Sequence, residues 1–307
     1  MECVILSSES PNWIGVSAIE LSVLMLASAL TLLLVRLGGK HGPMDLPSES
    51  KIHTLPTPRS GGIAILASLI LGCVLYNLFV DKMQMRFLFF LLPTLLIFAI
   101  GLIDDLLGLG ARLKLVLICV SASAVTMQLP GVPVGSAIIL FSVMVLLTNA
   151  VNLLDGANGL AGGVMSLSFV ALGTLFFLHD DCSIAAVCFL AVPAIFGFLI
   201  LNLGGRIFMG DCGSLMLGFL AATAVVRAYP CGIRVALGAI VCTAVPLLDL
   251  CFVVGRRIHL GVPVLSGDLN HGYNVLLRRM GSLRLVLAVY YIATILSAVC
   301  GLLIAGG

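Results

Sequence analysis

Six aspartates stand in a chain that otherwise avoids charge. They are Asp104 and Asp105 in "GLIDDLLGLGARLKL", Asp155 in "NAVNLLDGANGLAGG", Asp211 in "FMGDCGSL", Asp249 in "PLLDLCF" and Asp268 in "SGDLNH". A lone carboxylate in an apolar run is costly, and two adjacent ones also repel each other. Gathered around a divalent cation, they can stay ionised. An all-oxygen donor set without cysteine favours Mg²⁺, or Mn²⁺, over zinc. Magnesium commonly takes one or two carboxylates and completes its shell with water and phosphate oxygens. The plainer reading of Asp104 and Asp105 is that they cap a turn between helices.

Two glycine-rich stretches accompany the acids. In "NLLDGANGLAGG", Asn152, Asp155 and Asn158 alternate with Gly156, Gly159, Gly162 and Gly163. Glycines let backbone approach a ligand closely, and exposed N–H groups suit phosphate, although Asn, Asp and Gly are also ordinary turn residues. Asp211 lies between Gly210 and Gly213 at a helix start, with Phe208 placed to stack on a flat ring. Nearby Lys51, Arg59, Lys114, Arg256, Arg257 and His271 supply positive charge that fits a polyanion such as a diphosphate. The alternative is that these cations anchor helix ends to anionic lipid.

The elements that must position these residues are membrane helices. Of 307 residues, 61% are hydrophobic and 10% charged, against roughly 45–50% and 25% in soluble domains, and mean hydropathy is +1.21. The net charge of +2 gives no reason to expect a nucleic-acid partner. Most of the cysteines lie in apolar runs as small hydrophobes, with no C-x-x-C pair to hold zinc. The N-terminus lacks the basic region of a cleaved signal. Hydropathy predicts an all-α polytopic membrane protein with about ten spans, read as one domain over 1–307. The spans are 14–36, 61–80, 87–103, 113–129, 135–151, 160–178, 183–201, 213–227, 235–254 and 284–305. Connections after the odd-numbered spans carry twelve of the 16 lysines and arginines; Lys82, Arg86, Arg227 and Arg234 are the exceptions. The positive-inside rule then makes those connections cytosolic and puts both termini outside the cytosol. All six aspartates fall on that cytosolic face.

Five blocks together resemble the polyprenyl-phosphate N-acetylhexosamine-1-phosphate transferases: "HTLPTPRSGGIAI", "GLIDDLLGLGARLKL", "NAVNLLDGANGLAGG", "FMGDCGSLMLGF", and "PLLDLCFVVGRRIHLGVP" followed by "DLNH". They occur in order and cover about residues 51 to 279. The resemblance implies transfer of a sugar-1-phosphate from a UDP-sugar to a polyprenyl phosphate, such as undecaprenyl phosphate, in the inner (plasma) membrane. UMP is released and a cell-envelope glycan begins. It implies Mg²⁺ as cofactor, with Asp211 and Asp155 towards the metal and Asp104, Asp105, Lys114 and His271 in catalysis. Asn152, Asp155, Asn158, Phe208, Lys51, Arg59 and Asp268 match substrate-site positions. A homodimer is consistent with it. Three departures stand out. The family's last cytosolic loop carries several histidines, where "HGYN" keeps only His271; Asn158 replaces a frequent Asp; and "NLGGRIFMGD" lacks a usual Pro. The histidine change argues against the relative that transfers phospho-N-acetylmuramoyl-pentapeptide. An ion-coupled transporter is the alternative from another class, but its acids belong near the bilayer midplane rather than at helix ends.

Overall fold

The computed structural model describes residues 13–41, 43–45, 56–81, 86–263 and 271–307. Lys51, His53 and Asp268 lie outside them. Helix α1 (Trp13–His41) leads into a short antiparallel pair, β1 (Met44–Asp45) and β2 (Thr57–Pro58), with Met44 opposite Pro58 and Asp45 opposite Thr57. Then follow α2 (Gly61–Phe79), α3 (Arg86–Leu107), α4 (Ala111–Thr126), α5 (Val134–Leu154), α6 (Leu160–Leu178), α7 (Cys182–Asn202) and α8 (Gly210–Ala228). A 3-10 turn (Tyr229–Cys231) precedes α9 (Ile233–Cys242), α10 (Ala244–His259), α11 (Gly272–Met280) and α12 (Leu283–Gly306).

The protein is an all-α polytopic membrane protein. Seven of the described helices are long and apolar enough to cross a bilayer, or eight if the bent pair α9–α10 counts as one span. Spans expected at 135–151, 160–178 and 183–201 coincide with α5, α6 and α7 to within three residues at each end. The expected span 213–227 is longer than hydropathy indicated, because α8 begins at Gly210 and so takes in Asp211.

The expected span 235–254 is broken: α9 and α10 meet at 68°. Pro246, third residue of α10, has no N–H for the carbonyl of Cys242, and its ring would clash there in a continuous helix. Thr243 fills the break, its hydroxyl donating to the carbonyls of Ala239 (3.2 Å) and Ile240 (3.1 Å).

Burial runs from the centre outwards. The most apolar window of α8 is 89% buried, against 22% in α1 and α12. Around α8 pack α3 and α5, with α2, α6 and α9 adding further contacts. Phe169, Phe176, Phe198 and Phe219 are fully buried in this core. The outer faces carry exposed Ile, Leu and Val, such as Ile138, Leu296 and Leu303, as lipid requires. The polar site is therefore built on the N-terminus of the most enclosed helix.

Candidate active site

The first turn of any helix has N–H groups that no intrahelical carbonyl can reach. In α8 those of Asp211 and Cys212 are taken by a side chain from another helix. The Asp211 N–H donates to Asp105 Oδ1 and the Cys212 N–H to Asp105 Oδ2, both at 2.9 Å. One carboxylate thus caps α8, with its charge at the positive end of the helix dipole. Gly210 admits this cap. Its φ is +76°, and a Cβ there would lie 2.7 Å from Asp105 Oδ2 and 2.6 Å from the Arg59 carbonyl. Gly101, one turn before Asp105, does the same for helix packing, since a Cβ on it would sit 2.6 Å from the Asp211 carbonyl carbon.

The other member of the pair faces elsewhere. Lys114, in the first turn of α4, donates through Nζ to Asp104 Oδ2 (2.7 Å) and to Asp211 Oδ2. The three side chains are only partly exposed, at 18% for Lys114, 11% for Asp104 and 24% for Asp211. One ammonium thus serves two carboxylates at an accessible edge. The adjacent aspartates divide two tasks: Asp105 fixes a helix, and Asp104 faces the charge cluster.

The two glycine-rich stretches meet beside this cluster. Asn152, in the last turn of α5, donates through Nδ2 to Ser214 Oγ (3.0 Å), and that hydroxyl donates to the Gly210 carbonyl (3.0 Å). Asp155 follows the end of α5. Burial, followed by the charges of Asp211 and Asp105, raises its carboxyl well above the usual carboxylate range. Asn158 lies against Gly205 of the α7–α8 connection. Buried Asn202 ties the two loops together, accepting from the Gly159 N–H (2.8 Å) and donating to the Ile207 carbonyl (2.8 Å). No role was expected of Asn202; a buried Asn at a helix end between two glycine loops was the available signal.

The segment before α2 closes the other side. Phe208 N–H donates to the Pro58 carbonyl (2.8 Å), while Gly61 and Gly62 donate to the carbonyls of Phe208 (3.0 Å) and Met209 (2.8 Å). "TPRSGG" is in this way laid along the approach to α8. Arg59 forms an ion pair with Asp45 (3.2 Å) across the β1–β2 pair, so its charge is joined to an acid that the sequence motifs did not single out. His271 precedes α11, with its ring parallel to that of Tyr273 and the centroids 5.7 Å apart.

Among the described residues, no group of three or more His, Cys, Asp or Glu is arranged as a metal cage. Asp104 and Asp211 nonetheless turn oxygens towards one shared cation, the Lys114 ammonium. Two carboxylates without sulfur or nitrogen donors fit a hard divalent ion that shares its shell with phosphate oxygens, and do not fit zinc.

Residues 87–229 match the family model described as glycosyl transferase family 4. The chain is also similar to proteins named undecaprenyl-phosphate alpha-N-acetylglucosaminyl 1-phosphate transferase. It is 28% identical to that of Yersinia pestis, over 86% of this chain and 77% of the relative. It is 27% identical to that of Escherichia coli K12, over 95% and 84%, and 28% identical to that of Salmonella typhi, over 84% and 75%. The match to glycosyl transferase family 4 covers just under half of the chain, and within it lie Asp104, Asp105, Lys114, both glycine loops and Asp211.

Proposed function

We propose that this chain is a phosphoglycosyl transferase that moves a sugar-1-phosphate, of the N-acetylhexosamine class, from a UDP-sugar to undecaprenyl or another polyprenyl phosphate. A phosphate oxygen of the lipid attacks the sugar-bearing phosphorus. The bond from that phosphorus to the oxygen bridging it to UMP breaks, and UMP departs with the electron pair. Supporting this reading are the relatives' names and, above all, one observation: Asp104, Lys114 and Asp211 converge at the capped N-terminus of α8.

Phosphoryl transfer asks a protein mainly to position reactants and to offset negative charge. Lys114 is placed to meet diphosphate oxygens as an extra cation. Its two present partners, Asp104 and Asp211, would turn towards Mg²⁺, with Asp155 of the adjoining loop as a further carboxylate on the metal side. When bound, that ion would screen the diphosphate charge and stabilise the departing UMP oxygen. Asp105 keeps α8 in register beneath them. Asn152, Asp155 and Asn158 line the adjoining loop, where nucleotide polar groups would bind, and Phe208 is the nearby ring for uracil. The cytosolic orientation of this face, with both termini on the opposite side, belongs to the same proposal, since nucleotide sugars are cytosolic.

The test is turnover by the purified full chain in lipid nanodiscs with undecaprenyl phosphate, Mg²⁺ and a panel of UDP-N-acetylhexosamines. The panel includes UDP-N-acetylmuramoyl-pentapeptide. UMP release with one donor, abolished by EDTA and restored by Mg²⁺, is the expected result. No UMP from any donor, with the Escherichia coli relative active alongside, would sink the proposal. Release with the pentapeptide donor alone would move the chain to the peptidoglycan branch.

A further inference from the structure

The segment "HGYN" lacks the several histidines that the family resemblance implies, yet it makes a close set of contacts. Tyr273 is 5% exposed. Its hydroxyl reaches the glycine loop at Gly156, where any Cβ would collide with it and would lie 2.6 Å from the ring carbon Cζ. One residue back, a Cβ on Gly272 would run into Asp249 Oδ1 and come within 3.0 Å of the Tyr290 hydroxyl. That hydroxyl donates to Asp249 Oδ1 at 2.6 Å. Asp249 of α10 and Tyr290 of α12, both nearly buried, therefore hold the N-terminus of α11 from one side. The glycine loop receives it on the other. Between these supports the His271 ring lies parallel to the Tyr273 ring, 1° from coplanar in orientation.

We propose that Tyr273 is a positioning residue. Its ring fixes the orientation of the His271 imidazole, and its hydroxyl seats α11 on Gly156, so that one histidine is held at the edge of the transfer site. The catalytic part of this inference rests on the proposed phosphoglycosyl transfer; the positioning part does not. Burial pushes the Tyr273 phenol up to about 12, so it stays protonated, and Asp155 and Asp249 are close enough to act on it electrostatically. Two glycines far apart in sequence, Gly156 and Gly272, are the spaces that this arrangement needs. An alanine at either would expel a partner.

Two measurements on the full chain in nanodiscs test the inference. The first is the NMR signal of carbon-13-labelled histidine rings, with His271 assigned by its loss in His271→Ala. Stacking imposes a ring-current shift. The His271 signal is expected to move in Tyr273→Ala and in Gly156→Ala, and to stay near its wild-type position in Tyr273→Phe, which keeps the ring. A signal unmoved in both Tyr273→Ala and Gly156→Ala overturns the proposal. Using Gly156→Ala guards against Tyr273→Ala failing to fold.

The second is UMP release. Tyr273→Ala is expected to lower kcat by about tenfold or more with little change in KM, and the double variant with His271→Ala to be no slower than His271→Ala alone. Losses that multiply show independent action and overturn the positioning role. If the wild type releases no UMP while the ring signal behaves as expected, the positioning stands and the reading of the reaction falls.

Discussion

At the residue scale, two neighbouring aspartates have different work. Asp105 spends both oxygens on backbone N–H groups of α8, whereas Asp104 meets Lys114. Hydrogen bonds to a charged group contribute about 1.5–3 kcal/mol each, and losing a helix cap costs about 0.5–2 kcal/mol. Asp105→Ala is therefore expected to lower the thermal midpoint of the purified protein clearly, and activity with it, because Asp211 loses its place. Asp104→Asn is expected to cut UMP release at least tenfold, about 1.4 kcal/mol or more in the barrier, while leaving the midpoint near wild type. Equal thermal losses in the two variants would contradict this division. Asn202 belongs to the same scale. Asn202→Leu removes both ends of a buried amide that joins two loops, leaves the Gly159 N–H and the Ile207 carbonyl to find other partners, and is expected to destabilise by about 2–3 kcal/mol. The check is denaturation in detergent.

At the scale of elements, the close approach of α3 and α8 depends on Gly101. Gly101→Ala would place a methyl against the Asp211 backbone, and overpacking of this kind costs about 1–3 kcal/mol. It is expected to lower the thermal midpoint and to impair Asp105 capping, so activity should fall with it. An unchanged midpoint would mean that the two helices can slide apart freely. What the sequence made legible follows from the same physics. Helices α5, α6 and α7 could be read because their ends coincide with abrupt polarity changes. Asp104, Asp105 and Asp211 stood out because charge in an apolar run demands an explanation. The break between α9 and α10 was hidden because 235–254 is apolar on both sides of it, with Asp249 well inside α10, and only Thr243 and Pro246 mark it. Nine-residue α11 was hidden for the opposite reason, being too short and polar for a hydropathy reading. Asp105 as the cap of α8 could not be read at all, since its partners lie 106 and 107 residues further along the chain.

At the scale of the whole molecule, orientation decides whether the acidic edge meets cytosolic nucleotide sugars. Exposed Cys231, in the turn after α8, lies at the end of that helix opposite Asp211. A membrane-impermeant maleimide added to intact spheroplasts is expected to label Cys231, with the signal lost in Cys231→Ala. Labelling only after lysis would invert the proposed topology.

The cap that α3 provides for α8 also says something about how the chain is made. Synthesis runs from the N-terminus, so Asp105 takes its place in the last turn of α3 long before the N–H groups that it will hold exist. Until residue 212 has emerged, the nascent protein carries a carboxylate next to apolar helix with no lasting partner, and only completion of α8 resolves that. Completion of the site is thus coupled to completion of the chain. Products truncated before Gly210 should retain an unmatched acid by which membrane proteases can tell them from finished protein, and Asp105→Ala in such a fragment should lengthen its lifetime in a pulse-chase experiment.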